Sequence, residues 1–404
     1  MVHAMEGVRV LEVAEHTFVP AASAVLSDWG ADIIKVEHAE RGDAMRGLGK
    51  TGVLDLSQGV HVILEHSNRG KRSIGIDLAH PDGRATLLEI AKTADVFLTN
   101  KLPATLAKLG IDVADLRAAN PKIIYVRGTA FGPRGPDASR GGYDMTAFWC
   151  RSGTGGALTS PELGVAPQAG PAYGDSLGGM TIAGGISAAL FRRERTGEPS
   201  VIDVSLLGMG MWAMSSAIAL SLQMNVPWNT FAMQSGGGNP LTGTYRTQDD
   251  RHICFVMLQA FHYWPDFCRH IDRPDLIDDA RFDSHEHLSA NGAAARELIA
   301  EEIAKRTLED WCERLQSLEG QWTPVQNTLE VAQDPQARAN GYMQSATTAG
   351  GTEFELVASP VQFDEEPTGT ARSPEFNEHG DAILEEIGLD MDRILELKAA
   401  GAIA

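Results

Sequence analysis

Asp175 is the residue whose type and surroundings most invite chemistry: it stands in the run Tyr173-Gly174-Asp175-Ser176-Leu177-Gly178-Gly179, at the head of an apolar helical stretch. A carboxylate there gains from the positive end of the helix dipole and from free backbone N–H groups, and flanking glycines let a bulky electrophile come close. A plainer reading makes Asp175 a helix N-cap, its side chain accepting from backbone donors. Local sequence alone favours the cap. The same residues offer a second nucleophile, because Gly174-Asp175-Ser176-Leu177-Gly178 fits the G-x-S-x-G pattern of a serine hydrolase with Ser176 attacking. That pattern works on a sharp turn from a core strand into a helix. A helix is predicted over Met180–Arg193, but Val165–Tyr173 holds two prolines, Gly170 and three alanines, a poor core strand, so the hydrolase reading is disfavoured.

A second glycine-rich run, Ser235–Asn239, can supply backbone N–H donors to a developing oxyanion through Gly236, Gly237 and Gly238. Its composition suits a flexible linker equally well. No G-x-G-x-x-G follows the first predicted strand and no G-x-x-x-x-G-K-[ST] occurs, so neither a dinucleotide fingerprint nor a P-loop is supported; the His285 stretch, HEHL, is not H-E-x-x-H.

The elements that must position these residues alternate along the chain. Val8–Val13, Ala31–Val36, Ser73–Leu78, Asp95–Leu98 and Lys122–Val126 read as strands, and Pro20–Asp28, Gly83–Thr93 and Leu106–Leu109 as helices between them. Such alternation predicts an α/β fold on a mostly parallel sheet. Residues 132–174 read as long loops, which in compact domains are more often functional than idle. Asp203–Met224 is almost continuously apolar and predicts a helix buried in a core or an oligomer interface. From about Gly243 to Pro324 the pattern shifts to a strand at Ile253–Leu258 and amphipathic helices at Ala293–Arg306 and Leu308–Gln316, and the acidic tail ends in helical patterns at Gly380–Ile387 and Asp392–Ala399.

With 404 residues and 43% apolar content, the chain is expected to fold as two domains. The net charge of −20 argues against nonspecific nucleic-acid or anionic-membrane binding, and an anionic ligand has to meet a local cationic patch. No apolar run reaches the length of a membrane span and the first nine residues do not resemble a secretory signal, so a cytoplasmic location is expected. Four widely spaced cysteines indicate neither zinc nor disulfides and are expected to be buried thiols.

Several blocks, in the same order along nearly the whole chain, resemble the family III CoA-transferases, the group of carnitine CoA-transferase and formyl-CoA transferase, which also contains the α-methylacyl-CoA racemases. They are LEVAEHTFVPAASAVLSDWGADIIKVEHAERGDAMRG (11–47), NRGKRSIGIDLAHPDGRATLLEIAKTADVFLTN (68–100), GPAYGDSLGGMTIAGGISAAL (170–190), RTGEPSVIDVSLL (195–207), DLIDDARF (275–282), Asp334-Pro335-Gln336, and the C-terminal stretch from Asn377. The resemblance implies a Rossmann-like large domain formed by residues 1–224 and 331–404, a smaller α+β domain over 225–330, and two chains interlocked as a homodimer. It implies that Asp175 attacks an acyl-CoA thioester, that coenzyme A passes to a carboxylic acid acceptor without metal, nicotinamide or flavin, and that the loop at Gly236, Gly237 and Gly238 shields the intermediate. It further places CoA against His16, Thr17, Phe18, Lys35, Arg46, Arg72, Ile76, Asn100, Lys101, Lys108, Tyr143 and Asp144.

Two positions depart from relatives: His38 stands where some carry arginine, and Lys101 where others carry an apolar or aromatic residue. Racemases carry a His-Asp pair where this chain has Tyr143-Asp144; tyrosine, with an ordinary pKa near 10, is a poor base at neutral pH, so transfer is favoured over racemisation. Phe18, Leu48, Phe148, Trp149 and Trp212 hint at an apolar acyl pocket.

Overall fold

The structure, a computed structural model, describes residues 3–51, 59–160, 162, 164–230 and 238–404. The chain divides into two compact units, one of residues 1–228 with 335–404 and one of residues 229–334.

The first unit is built on a six-stranded sheet: β1 (Arg9–Val13), β2 (Asp32–Glu37), β3 (Arg72–Gly75), β4 (Val96–Thr99), β5 (Ile124–Thr129) and β6 (Val201–Ser205), in the order β3-β2-β1-β4-β5-β6. All five pairings are parallel. Parallel strands need crossovers, and the first half of the chain supplies them as α1 (Phe18–Asp28), α2 (Val62–Asn68), α3 (Pro81–Ala91), α4 (Pro103–Leu109) and α5 (Val113–Ala119). Apolar clusters cover both faces of the sheet, one around Val10, Val96, Ile124 and Ile186, the other around Leu11, Phe97, Tyr125 and Ile383. The C-terminus returns to this sheet: the N–H of Ala404 donates to the Gly75 carbonyl at 3.0 Å, and Ile403 bridges Ile76.

The stretch 132–174, expected as loop, holds a π-helical segment at Met145–Cys150 and a single turn, α6 (Thr154–Ala157). The long helix α7 runs from Tyr173 to Thr196, seven residues earlier than predicted. Its early turns are glycine-rich because they lie directly against α1: a Cβ on Gly178 would run into the Phe18 ring, and one on Gly179 would sit 2.6 Å from Ala21 Cβ.

The continuous buried helix expected over Asp203–Met224 is instead three elements. Asp203 lies exposed in strand β6 at the sheet edge, and α8 (Leu206–Ala213) and α9 (Ser215–Met224) follow with a bend of 69°. An unbroken apolar run carries no signal separating an edge strand from the helix that continues it. No residue of α9 is buried in the chain, and Trp212 and Leu222 are 78% and 79% exposed. No single helix among the described residues is long and apolar enough to cross a membrane. Of the cysteines expected to be buried, Cys268 is, Cys254 and Cys312 are half-buried and Cys150 is exposed.

The second unit carries a three-stranded antiparallel sheet, β7 (Thr242–Arg246), β8 (His252–Val256) and β9 (Trp322–Pro324), with β8 in the middle. Helices Ala260–His270, Gly292–Ile303 and Leu308–Arg314 join it around a core of Phe255, Trp264, Phe267, Phe282 and Trp311.

Candidate active site

In an open parallel sheet, the loops leaving two neighbouring strands toward opposite sides open a crevice at the carboxyl ends of those strands. Here the reversal lies between β1 and β4. A cleft of about 600 Å³ occupies that place, lined by Glu15, His16 and Phe18 after β1, Asn100, Lys101 and Leu102 after β4, Thr129 to Phe131 at the end of β5, Arg140 to Tyr143, and Asp175.

The loops are laced together. The Asn100 side chain accepts from the Glu15 N–H at 3.2 Å and donates to the Glu15 carbonyl at 2.7 Å, and Lys101 Nζ pairs with Glu15 Oε2 at 2.7 Å. His16 has a left-handed backbone (φ 67°), unusual for a side chain of this size. Its N–H donates to Asp43 Oδ1 at 3.1 Å, and its ring meets Tyr143 edge-on at 5.7 Å. Asp43 is in turn held by Lys35 at 2.7 Å, and Lys35 and Lys71 both donate to Glu12 at 2.8 Å, all with side chains closed off from solvent. Burial works against the charge of both lysines. It pushes the Lys71 ammonium down to about 7, whereas Asp43, Glu12 and Glu37 together hold Lys35 above its ordinary value.

Asp175 occupies the third position of α7, not the cap; the cap is Ala172, in the left-handed conformation (φ 57°) with no side-chain bond of its own. The N–H groups of this first turn that lack a partner within the helix are answered from a distance by Asp144, whose Oδ2 accepts from Gly174 N–H at 2.9 Å and Asp175 N–H at 3.4 Å. The Asp175 side chain is thus left free to face the cleft. Burial, with the Asp144 carboxylate adding to it, raises the Asp175 carboxyl from 3.8 to about 7. Asp144 is itself raised by burial. Two carboxyls in one poorly solvated site, one used as a cap and one left over, make the second a weakly solvated nucleophile near neutral pH.

Ser176 does not stand on a nucleophile elbow. Among the described residues no strand leads into α7, and the Ser176 hydroxyl donates back to the Ala172 carbonyl at 2.8 Å.

The other residues singled out from sequence separate into two groups. His16, Phe18, Asn100, Lys101 and Tyr143 line the cleft with Asp175, and Tyr143 is 66% exposed there. Thr17 is buried as the cap of α1, Ile76 is buried where it bridges Ile403, and Lys108 is exposed in the last turn of α4. The structure turns Lys35 away from phosphate binding: fully enclosed, it is committed to Glu12 and Asp43. Arg46 is paired with Glu37, and Arg72 with Asp32 and Glu386. Gly236 and Gly237 lie outside the described residues; Gly238, in the second unit, has a positive φ of 114°.

Of the aromatic and apolar residues read as an acyl pocket, Phe18 lines the cleft. Phe148 and Trp149 are buried, each meeting Tyr173 edge-on, Trp212 projects into solvent from α8, and Leu48 lies in the 3-10 turns of Ala44–Thr51. Arg140 was missed, although it stands three residues before Tyr143; its guanidinium lies 5.6 Å from the Phe131 ring, a cation facing the cleft in an acidic chain.

Comparison with known proteins bears on the family of the whole chain. A family model described as CoA-transferase family III matches residues 5–380. An (R)-2-hydroxy-4-methylpentanoate CoA-transferase of Clostridioides difficile is 27% identical over 98% of each chain, and a succinate–glutarate CoA-transferase of Agrobacterium fabrum is 31% identical over 95% of each. The crystal structure of a CAIB/BAIF family protein from Brucella suis superposes with a TM-score of 0.80 at 28% identity, covering 96% of this chain and 100% of the other. The chain belongs to CoA-transferase family III and is an enzyme of the CoA-transferase class.

Proposed function

We propose that this enzyme moves CoA from an acyl-CoA to a carboxylic acid with Asp175 as covalent carrier. An Asp175 carboxylate oxygen attacks the thioester carbonyl, the C–S bond breaks, and CoA thiolate leaves behind a mixed anhydride. The thiolate then attacks the Asp175 side-chain carbonyl carbon, expelling the donor acid as its carboxylate and forming an aspartyl-CoA thioester. The acceptor carboxylate attacks that carbon and expels the thiolate, giving a second anhydride. Return of the thiolate to the acceptor acyl carbon yields the new acyl-CoA and restores the Asp175 carboxylate.

Every nucleophile in this cycle is an anion and no proton is transferred, so no general base has to stand beside Asp175. The observation that carries the proposal is the free, destabilised carboxylate of Asp175 in the switch-point cleft, with its helix turn capped by Asp144. In this reading His16, Phe18, Asn100, Lys101 and Tyr143 contact the CoA, and Arg140 adds positive charge for its phosphates. We also assign the apolar face of α8 and α9 to a homodimer contact, because Trp212 and Leu222 stand exposed in the isolated chain.

Intact-protein mass spectrometry after mixing with acetyl-, succinyl-, glutaryl- and cinnamoyl-CoA tests the chemistry, with borohydride added to reduce an activated Asp175 to the alcohol. A CoA-sized adduct or the reduced side chain, absent in Asp175→Asn, is the expected outcome. Turnover with no modification of Asp175 by any ester that the enzyme consumes would falsify the covalent route.

A further inference from the structure

Beside the nucleophile, and unused by the cycle above, runs a part-buried polar chain. Ser176, the residue after Asp175 in α7, has its Oγ 3.1 Å from His66 Nε2 as well as 2.8 Å from the Ala172 carbonyl. A hydroxyl has one proton, and a carbonyl oxygen can only accept. The Ser176 proton therefore goes to Ala172, and the Nε2–H of His66 is the donor to Ser176.

The far side of the ring agrees. His66 Nδ1 faces Arg69 Nη1 at 3.5 Å, a donor, and the same Arg69 nitrogen donates to the His66 carbonyl at 2.7 Å. Arg69 is itself fixed by Asp28 through contacts of 2.7 to 3.1 Å, with side-chain exposures of 3% and 2%. Burial, helped by the Arg69 cation, lowers the His66 imidazole to about 4, so it stays a neutral donor across the working range. A ring whose protonated nitrogen points at the serine cannot take the serine proton, which removes it as a general base there.

We infer that His66 is a positioning residue for Asp175, holding the first turn of α7 through Ser176 and the Ala172 carbonyl. That turn has no local cap: Ala172 is left-handed and offers no capping side chain. It is instead gripped from two directions, by Asp144 on its N–H groups and by His66 on the next residue's hydroxyl. An attacking carboxylate has to be placed to within a fraction of an ångström at each acyl step, and a misplacement of about 1 Å costs on the order of 100-fold in rate. The chain Asp28–Arg69–His66–Ser176 ties that placement to α1 and α2, and so to the core. The inference rests on Asp175 being the nucleophile.

The test is the steady-state and single-turnover kinetics of His66→Ala, His66→Gln and Ser176→Ala, using whichever of the four esters above the wild type accepts. With the turn loosened, kcat and the rate of CoA-adduct formation fall on the order of 10- to 100-fold in His66→Ala and Ser176→Ala, while KM for the ester stays within about twofold, as expected for an interaction lost only in the transition state. His66→Gln, which keeps an N–H donor, recovers most of the rate, and His66→Ala combined with Ser176→Ala is no worse than either alone. Wild-type kcat in Ser176→Ala, a variant that favours helix and is expected to fold, would overturn the inference. So would a loss of melting temperature in His66→Ala with unchanged kcat per folded molecule. Failure of every ester to modify Asp175 in the wild-type enzyme is a different result: it removes the nucleophile itself, and this inference with it.

Discussion

At the scale of single residues, the decisive quantity is the free energy of putting a charge on Asp175. Burial and the Asp144 carboxylate lift its carboxyl from 3.8 to about 7. Attack requires the ionised form, so kcat/KM for the acyl-CoA rises with pH up to about 7, with a slope of one on a logarithmic plot, and levels off above it. A pH–rate profile with its acid limb near 4 would contradict this environment. The same shift couples to stability. Because the folded pKa lies above the unfolded one, the contribution of the protonated group is fully present below pH 3.8 and is lost as pH rises through about 7. Asp175→Asn, neutral at every pH, should therefore be more stable than wild type at pH 8, by up to about 4 kcal/mol, and indistinguishable from it near pH 3. Thermal melts of the two proteins at both pH values measure this.

At the scale of elements, α7 shows why glycine is needed where it is needed. Gly178 faces the Phe18 ring in the contact with α1, while a Cβ on Gly184 would meet nothing within 4 Å. Alanine gains about 1 kcal/mol over glycine in a helix interior. At Gly184 nothing opposes that gain, so Gly184→Ala stabilises by about 0.5–1 kcal/mol. At Gly178 the added methyl must displace an aromatic ring in a close-packed interface, costing about 1–3 kcal/mol and outweighing the propensity. Phe18 also lines the cleft, so Gly178→Ala should weaken acyl-CoA binding as well as lower the denaturation midpoint. Equal stability changes at the two positions in urea titrations would refute this account of the packing.

At the scale of the whole molecule, the apolar face of α8 and α9 calls for a cover. A groove there is lined by Met214, Ile218, Leu222, Val226 and Trp228, and side chains of this kind are costly to leave in water. Sedimentation at micromolar concentration should give twice the chain mass, and Leu222→Asp with Trp212→Asp should shift the population toward single chains. A wild-type protein that sediments as one chain under those conditions would remove the dimer assignment.

The sequence by itself determined the alternation of strands and helices, and with it the parallel sheet. Apolar periodicity is a local property that the fold only has to obey: the strands β1 to β5 and the helix at Pro20–Asp28 lie within a few residues of where the pattern puts them. The order of the motif blocks carried the family, and the resemblance, not the local pattern, marked Asp175 as the candidate nucleophile. Tertiary structure alone decided what surrounds that carboxylate. Asp144 caps its turn from 31 residues away, His66 reaches Ser176 across 110, and Lys35, expected against the CoA, is sealed against Glu12 and Asp43. The strand β6 hid within an apolar run because edge strand and helix share one composition there. A side chain's charge state and orientation depend on partners distant in the chain and on the water they exclude, and no local pattern encodes either.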